Sequence, residues 1–335
     1  MTIVLDAMGS DDCPLPEIMG AIQAAKDFNE KIILVGNQEQ LSKLLSEYNG
    51  QDLPIEIVHA SQAITMDDKA VDGVKNKPDS SMAVGLELVK NQQANAFVTA
   101  GNTGAAMFTA LRKLGRMQNV LRPGLTTVFP HISGKCIVLD IGANVECRPE
   151  FLLQFGLLGS EYAKTALNID SPRVGILSNG EEDSKGTPLV KESFKLLQNS
   201  QLNFIGNVES KEIFEGKVDV VVTDGFTGNV LIKTSEAVAG MIIKVLKEEF
   251  MASMRTKIGA LLAKPAFSAL KAMMDPAEIG AAPLLGVDGL VFIGHGRSDA
   301  KAIYGALRNA HQLGKTNLLE NLEHSIAAQI EVQKE

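Results

Sequence analysis

Short, almost purely apolar runs alternate along the chain with longer stretches in which apolar residues recur every three to four positions. The runs Ile3–Ala7, Lys31–Val35, Ile55–His59, Ala96–Thr99, Thr126–Phe129, Cys136–Ile141, Arg173–Leu177, Leu202–Ile205, Val218–Thr223 and Gly289–Ile293 predict strands. Their near-continuous hydrophobicity marks parallel strands covered on both faces. Helical periodicity fills intervals such as Ser80–Gln93, Gly104–Leu114, Glu150–Ala166, Pro188–Leu197, Asn229–Phe250 and Asp299–Leu313. The rhythm predicts βαβ units and a three-layer αβα architecture around a mostly parallel, doubly wound sheet. With no Pro/Ser-rich linker, residues 1–335 read as a single large α/β domain, with two lobes as the alternative.

One segment departs from that rhythm. Residues 250–275, beginning "FMASMRTKIGALLAKPAFSALKAMM", hold no acidic residue through position 274. Met251, Met254, Ile258, Leu261 and Leu262 recur at helical spacing, Pro265 interrupts, and Phe267, Leu270 and Met274 resume. The pattern predicts a protruding pair of amphipathic helices joined at an apolar tip, "LLAKPAF".

Composition narrows the classes. Apolar content of 45% and charged content of 21% are globular values, and Trp is absent. Few aromatics and a formal net charge of −8 argue against nucleic acid as a partner. The three cysteines, Cys13, Cys136 and Cys147, have no paired spacing and no His cluster, so neither a disulfide framework nor a metal site is expected. The first residues run straight into a strand pattern and no apolar run is long enough to span a bilayer, so a cytoplasmic location is expected.

The chemistry gathers where strands end. "FVTAGNTGAA" (97–106), "IVLDIGANVE" (137–146) and "VVVTDGFTGNV" (220–230) each pass from β-branched residues into Gly, Asn, Thr and Asp. In an open parallel sheet, ligands bind outside the carboxyl ends of strands. Gly101, Gly104, Gly225 and Gly228 permit close backbone approach, and free N–H groups at a helix start attract anions, phosphate above all. Side chains of Asn102, Thr103, Asn144, Thr227 and Asn229, with Asp140 and Asp224 alongside, complete a candidate cradle. The plain alternative is that Asn, Thr and Asp cap helices while Gly closes turns. Further strand-end loops are "ILSNGEEDSKGTP" (176–188), which offers Lys185; "FIGHGRSDAKA" (292–302), which offers His295, Arg297 and Ser298; and "LDAMGSD" at the start. No nucleophile with an evident His partner and no dinucleotide or nucleotide fingerprint is present. These parts suit positioning a phosphate and stabilising negative charge, with no cofactor.

The motifs "DAMGSD" (6–11), "SSMAVGLELVK" (80–90), "TAGNTGA" (99–105), "DIGAN" (140–144), "GEEDSKG" (180–186), "DVVVTDGFTGNVLIKTSE" (219–236) and "APLLGVDGLVFIGHG" (282–296) occur in order over nearly the whole chain. Together they resemble the phosphate acyltransferase PlsX family. Ser10 stands where that family usually has Gly, and Ser178-Asn179 where it usually has Asn-Ile. The resemblance implies an isocitrate/isopropylmalate dehydrogenase-like fold and a homodimer. It also implies attack of inorganic phosphate on the fatty acyl thioester of acyl carrier protein, giving acyl phosphate for phospholipid synthesis. On that basis the amides of Gly101–Gly104 and Gly225–Asn229, with the Asn102 and Asn229 side chains, are expected to hold phosphate. Lys185 offsets charge, Asp224 orients phosphate or takes its proton, and Asp140 and Asn144 brace the loops or contact the carrier's pantetheine arm. A short-chain phosphotransacetylase acting on acyl-CoA and a non-catalytic membrane scaffold are the rivals.

Partner surfaces follow from charge. Acyl carrier protein is acidic, so an acidic enzyme needs a local basic face. The segment 111–124 supplies Arg112, Lys113, Arg116 and Arg122. In the 250–275 segment, Arg255, Lys257 and Lys264 beside Leu261, Leu262 and Phe267 suit an anionic membrane surface. A solvated helix face and a dimer interface are the respective alternatives.

Overall fold

The computed structural model describes residues 1–273 and 280–332. Its strands are β1 (Thr2–Asp6), β2 (Lys31–Gly36), β3 (Ile55–His59), β4 (Ala96–Thr99), β5 (Gly124–His131), β6 (Gly134–Leu139), β7 (Val174–Leu177), β8 (Phe204–Val208), β9 (Val220–Val222), β10 (Ala281–Leu285) and β11 (Leu290–Gly294). Its helices are α1 (Leu15–Phe28), α2 (Gln38–Glu47), α3 (Ala70–Asn76), α4 (Ser81–Lys90), α5 (Thr103–Lys113), α6 (Pro149–Leu167), α7 (Pro188–Gln198), α8 (Ser210–Glu215), α9 (Gly225–Met251), α10 (Met254–Met273), α11 (Ala300–Leu313) and α12 (Leu318–Val332).

The strands form one sheet in the order β3-β2-β1-β4-β11-β10-β5-β6-β9-β7-β8. Central strands are buried along most of their length, while the edge strands β3 and β8 carry exposed residues. Alternate residues feed opposite cores. Ile3, Leu5, Val98, Ile137, Leu139, Val220 and Val222 face a single cluster that runs under both halves, with α1, α6 and α11. Val4, Phe97 and Ala106 face a second cluster, and Val138, Val221 and Ile213 a third. One face of the sheet is therefore covered continuously and the other in two patches.

Three predictions change. β10 was not anticipated; it pairs antiparallel with β11 and with β5, and β5 pairs antiparallel with β6. Strand direction consequently reverses across the middle of the sheet. The predicted strand Leu202–Ile205 lies at Phe204–Val208, and Cys136–Ile141 ends at Leu139, where the chain turns. The tip of the helix pair falls at Ala252–Ser253, not at "LLAKPAF", and Pro265 lies inside α10. The Pro265 ring removes the N–H that would have bonded the Leu261 carbonyl, but Leu261 is 71% exposed, so solvent can replace that bond. Beyond Val230, none of the described residues of α9 or α10 is buried. Met274 and Asp275 lie outside the described residues.

Candidate functional site

The carboxyl ends of β1, β4 and β11 lie side by side and bring together the loops at 6–11, 99–104 and 294–298. Thr99 Oγ1 donates to Asp6 Oδ2 at 2.7 Å, and the Gly101 N–H donates to Thr99 Oγ1 at 3.0 Å. A Cβ on Gly9 would sit 2.8 Å from the Asp6 carboxylate and 2.9 Å from the Gly101 nitrogen, so glycine there lets the loops touch. Burial pushes the Asp6 carboxyl above the usual range, with the hydrogen bond from Thr99 opposing. Beneath it, fully buried Glu17 accepts from the Ser10 N–H at 3.3 Å, and burial pushes its carboxyl up to about 7.

The Asn102 amide is not available for phosphate as expected. Its Oδ1 caps α5 by accepting from the Ala105 N–H at 3.0 Å, and its Nδ2 donates to the Asp68 carbonyl at 3.0 Å. Thr103 and Gly104 form the first turn of α5, where N–H groups lack intrahelical partners. His295 is exposed and shapes a turn: its Nδ1 accepts from the Arg297 N–H, and its carbonyl accepts from Ser298 Oγ at 2.6 Å.

The ends of β6, β9 and β7 form a second set. Because these strands run opposite to β1, β4 and β11, their carboxyl ends point toward the other edge of the sheet. The expected single strand-end cradle therefore divides in two. Asp140 is fully buried and accepts five hydrogen bonds, from the N–H groups of Leu125, Gly142, Ala143 and Asn144 and from Asn144 Nδ2. Burial pushes its carboxyl upward, and these donors pull the other way by favouring the anion. Asn144 Nδ2 also donates to the Pro123 carbonyl at 2.7 Å. Both side chains hold these loops together.

The glycines of "DGFTGN" lie against the same two residues. A Cβ on Gly228 would lie 1.9 Å from the Asp140 carbonyl oxygen, and one on Gly225 would lie 2.7 Å from that of Asn144. The Gly225 N–H donates to the Asn144 carbonyl and the Thr227 N–H to Asp224 Oδ1, both at 2.8 Å. The Gly228 N–H donates to the Asp224 carbonyl at 3.0 Å. These amides are spent within the protein, contrary to the expected phosphate cradle, and Asp224 is the N-cap of α9. Asn229 is half-buried beside Gly142.

A cavity of about 790 Å³ opens here, lined by α9, the 178–187 loop, β7, α8 and α6, with Asp224 and Thr227 in its wall. Lys185 is exposed on that loop, whose Asn179 and Gly186 line the cavity. A neighbouring pocket of about 580 Å³ is lined by Arg116, Arg122 and Arg148 with Glu146, Leu121, Cys147 and Phe151. Arg148 and Arg122 lie over the Phe151 ring at 4.7 and 5.9 Å. Burial pushes the Cys147 thiol up to about 12, with Asp140 and Asp224 adding to the shift and Arg122 opposing it, so all three groups are electrostatic neighbours of the sulfur. Of the predicted basic residues, Arg112, Arg116 and Arg122 are exposed, whereas Lys113 pairs with Glu87 at 2.7 Å. Arg148 was missed because it stands apart in sequence, in "ECRPE"; its signal was a basic residue just before a Pro-initiated helix.

The fold is a mixed α/β fold shared with phosphotransacetylases: a phosphotransacetylase from Streptococcus pyogenes superposes with a TM-score of 0.61 at 18% identity, over 93% of this chain and 94% of that one. Sequence gives the particular family. Residues 1–321 match the family described as "Fatty acid synthesis protein", and the chain belongs to it. Relatives include the phosphate acyltransferase of Acidobacterium capsulatum, 47% identical over 97% of each chain. That of Geotalea uraniireducens is 44% identical over 97% of this chain and 94% of its own.

Proposed function

We propose that the protein transfers a fatty acyl group from the thioester of acyl carrier protein to inorganic phosphate, releasing acyl phosphate for phospholipid synthesis and free carrier thiol. Acyl transfer to phosphate follows from the family. The observation that carries the donor is the pairing of an apolar cavity at Asp224 and Thr227 with an arginine-lined pocket at Cys147. One suits a fatty chain and the other an acidic carrier or its phosphate-bearing arm.

In the reaction a phosphate oxygen attacks the thioester carbon, a C–O bond forms, and the C–S bond breaks with its electrons on sulfur. The proton lost by phosphate ends on the carrier thiol. The chain needs no covalent intermediate, and its own thiols fit that role poorly: burial pushes Cys147 and Cys136 up to about 12. Lys185, on the 178–187 loop that lines the cavity, offsets charge on phosphate and the developing oxyanion, and Asn229 helps to hold it. Asp224, fixed by the Thr227 N–H and hydroxyl at 2.8 Å each, keeps the loop in register and orients phosphate. Phosphate binding is thus assigned to this edge, with the Gly101–Gly104 turn left to structure.

We take residues 1–335 as a single catalytic domain of the isocitrate/isopropylmalate dehydrogenase-like type, supported by the core face shared by both halves. The α9–α10 pair protrudes, serving an anionic membrane surface at its exposed leucines and a homodimer along its shafts. A single-chain mass in sedimentation velocity would remove the dimer. No helix among the described residues is long and apolar enough to cross a membrane.

The test is incubation with palmitoyl carrier protein and orthophosphate, following free thiol and acyl phosphate. Lys185→Ala and Asn229→Ala should each lower turnover by about 100-fold with unchanged melting. Phosphate-independent release, or a preference for acetyl-CoA as donor, would overturn the proposal.

A further inference from the structure

One face of α9 lines the 790 Å³ cavity over four turns. Thr227, Val230, Leu231, Thr234, Ser235, Val238, Ala239 and Ile242 recur at i, i+3/i+4 and i+7/i+8, the spacing of a single helical stripe. The opposite wall is built by Leu177, Val190 and Phe214 with the 178–187 loop. The polar atoms in the stripe are largely satisfied internally: Thr227 Oγ1 donates to Asp224 Oδ2, and Ser235 Oγ donates to the Leu231 carbonyl, each at 2.8 Å. What remains toward the cavity is apolar, with Val230, Val238 and Ile242 each about half exposed. At the loop end, by contrast, buried Ser178 Oγ has no partner among the described residues. The groove wall is thus mainly apolar, with few polar groups left to face a ligand.

We infer that this groove is the acyl-chain site, with the thioester at the Thr227 end and the terminal methyl toward Ile242. The inference rests on the acyl-transfer reading above and adds where the chain lies and which residues measure it. The stripe from Thr227 to Ile242 covers about 22 Å at the helical rise, long enough to hold a lipid chain. A lipid chain reaches across half of a bilayer's hydrocarbon core, about 15 Å. The cavity volume is also in the range of small-molecule sites, about 300–1,000 Å³. Small residues at Thr234, Ser235 and Ala239 leave the middle of the groove open, so a larger side chain there should act as a stop.

The experiment compares wild type with Ala239→Phe, using carrier protein loaded with octanoyl or palmitoyl chains and following phosphate-dependent thiol release. Melting temperature and sedimentation are measured on both proteins. The expected result is a fall of about tenfold or more in the palmitoyl-to-octanoyl ratio of kcat/KM, with folding, mass and octanoyl turnover retained. Ile242→Ala, at the far end, should instead raise tolerance of longer chains. An active wild type whose chain-length profile is the same in Ala239→Phe overturns the groove while leaving acyl transfer standing. A variant that loses dimer mass while keeping the wild-type chain-length profile also overturns it, since the stripe would then belong to the shaft surface assigned above to the homodimer. A wild type with no phosphate-dependent release on any chain overturns the acyl-transfer reading itself.

Discussion

Glu17 lies fully buried beneath the 6–11 loop, with Oε1 held by the Ser10 N–H and Oε2 unpartnered. Its carboxyl is pushed from about 4.5 up to about 7, by burial first and then by the Asp6 carboxyl against the opposing bonds to Ser10. The folded state therefore holds this proton more tightly than the unfolded chain. The associated stability is complete below about pH 4.5 and is lost as pH rises through about 7. Glu17→Gln, neutral throughout, should remove that slope. In urea unfolding between pH 5 and pH 8, wild type should lose about 3 kcal/mol more than the variant; parallel profiles would show that Glu17 is ionised in both states. Nothing in the sequence marked this residue, because "LPEIMGAIQ" reads as an ordinary amphipathic helix with an acidic first turn. Asn102 and Asp224 were marked, but their capping bonds are as local as the motif itself. A local motif marks such residues without separating a cap from a ligand.

The helix pair illustrates the same problem over a longer stretch. The proline rule placed a break at Pro265, yet the corner comes at 252–253, where Ser253 and Thr256 bond each other reciprocally: the Ser253 N–H donates to Thr256 Oγ1 at 3.1 Å, and the Thr256 N–H to Ser253 Oγ at 3.2 Å. A serine followed three residues later by a second hydroxyl was the legible signal. Moving the corner changes the roles of the apolar residues. Phe267, expected at the membrane, meets the Phe250 ring edge-on at 4.9 Å and ties α10 to α9. Leu261 and Leu262 stay 71% and 78% exposed. Leu261→Glu with Leu262→Glu should therefore abolish sedimentation with anionic liposomes without altering helicity. Retained sedimentation would remove the membrane reading. β10 escaped notice for a related reason: "AAPLL" is short, holds a proline and lies between glycines, so it resembles a turn until β11 and β5 flank it.

For the whole molecule, the reversal of strand direction at β10 and β5 matters most, since it sends the two families of strand-end loops to different edges. Charge is likewise organised across distant segments. Arg116 and Arg122 precede β5, whereas Arg148 opens α6, and they meet only around Phe151 and Cys147. Reversing Arg116, Arg122 and Arg148 to Glu should raise KM for the acidic carrier by about tenfold or more while leaving KM for phosphate unchanged. An unchanged carrier KM would place docking elsewhere. The order of apolar runs and helical stretches determined the α/β class and most elements, because the periods 2 and 3.6 are written residue by residue. The motif set determined the family. Only the tertiary structure decided that β10 inserts antiparallel, that Asp140 accepts five hydrogen bonds and that one face of α9 lines a groove. Strand pairing and side-chain satisfaction depend on residues far apart in the chain, and a local pattern carries no record of which distant group will arrive beside it.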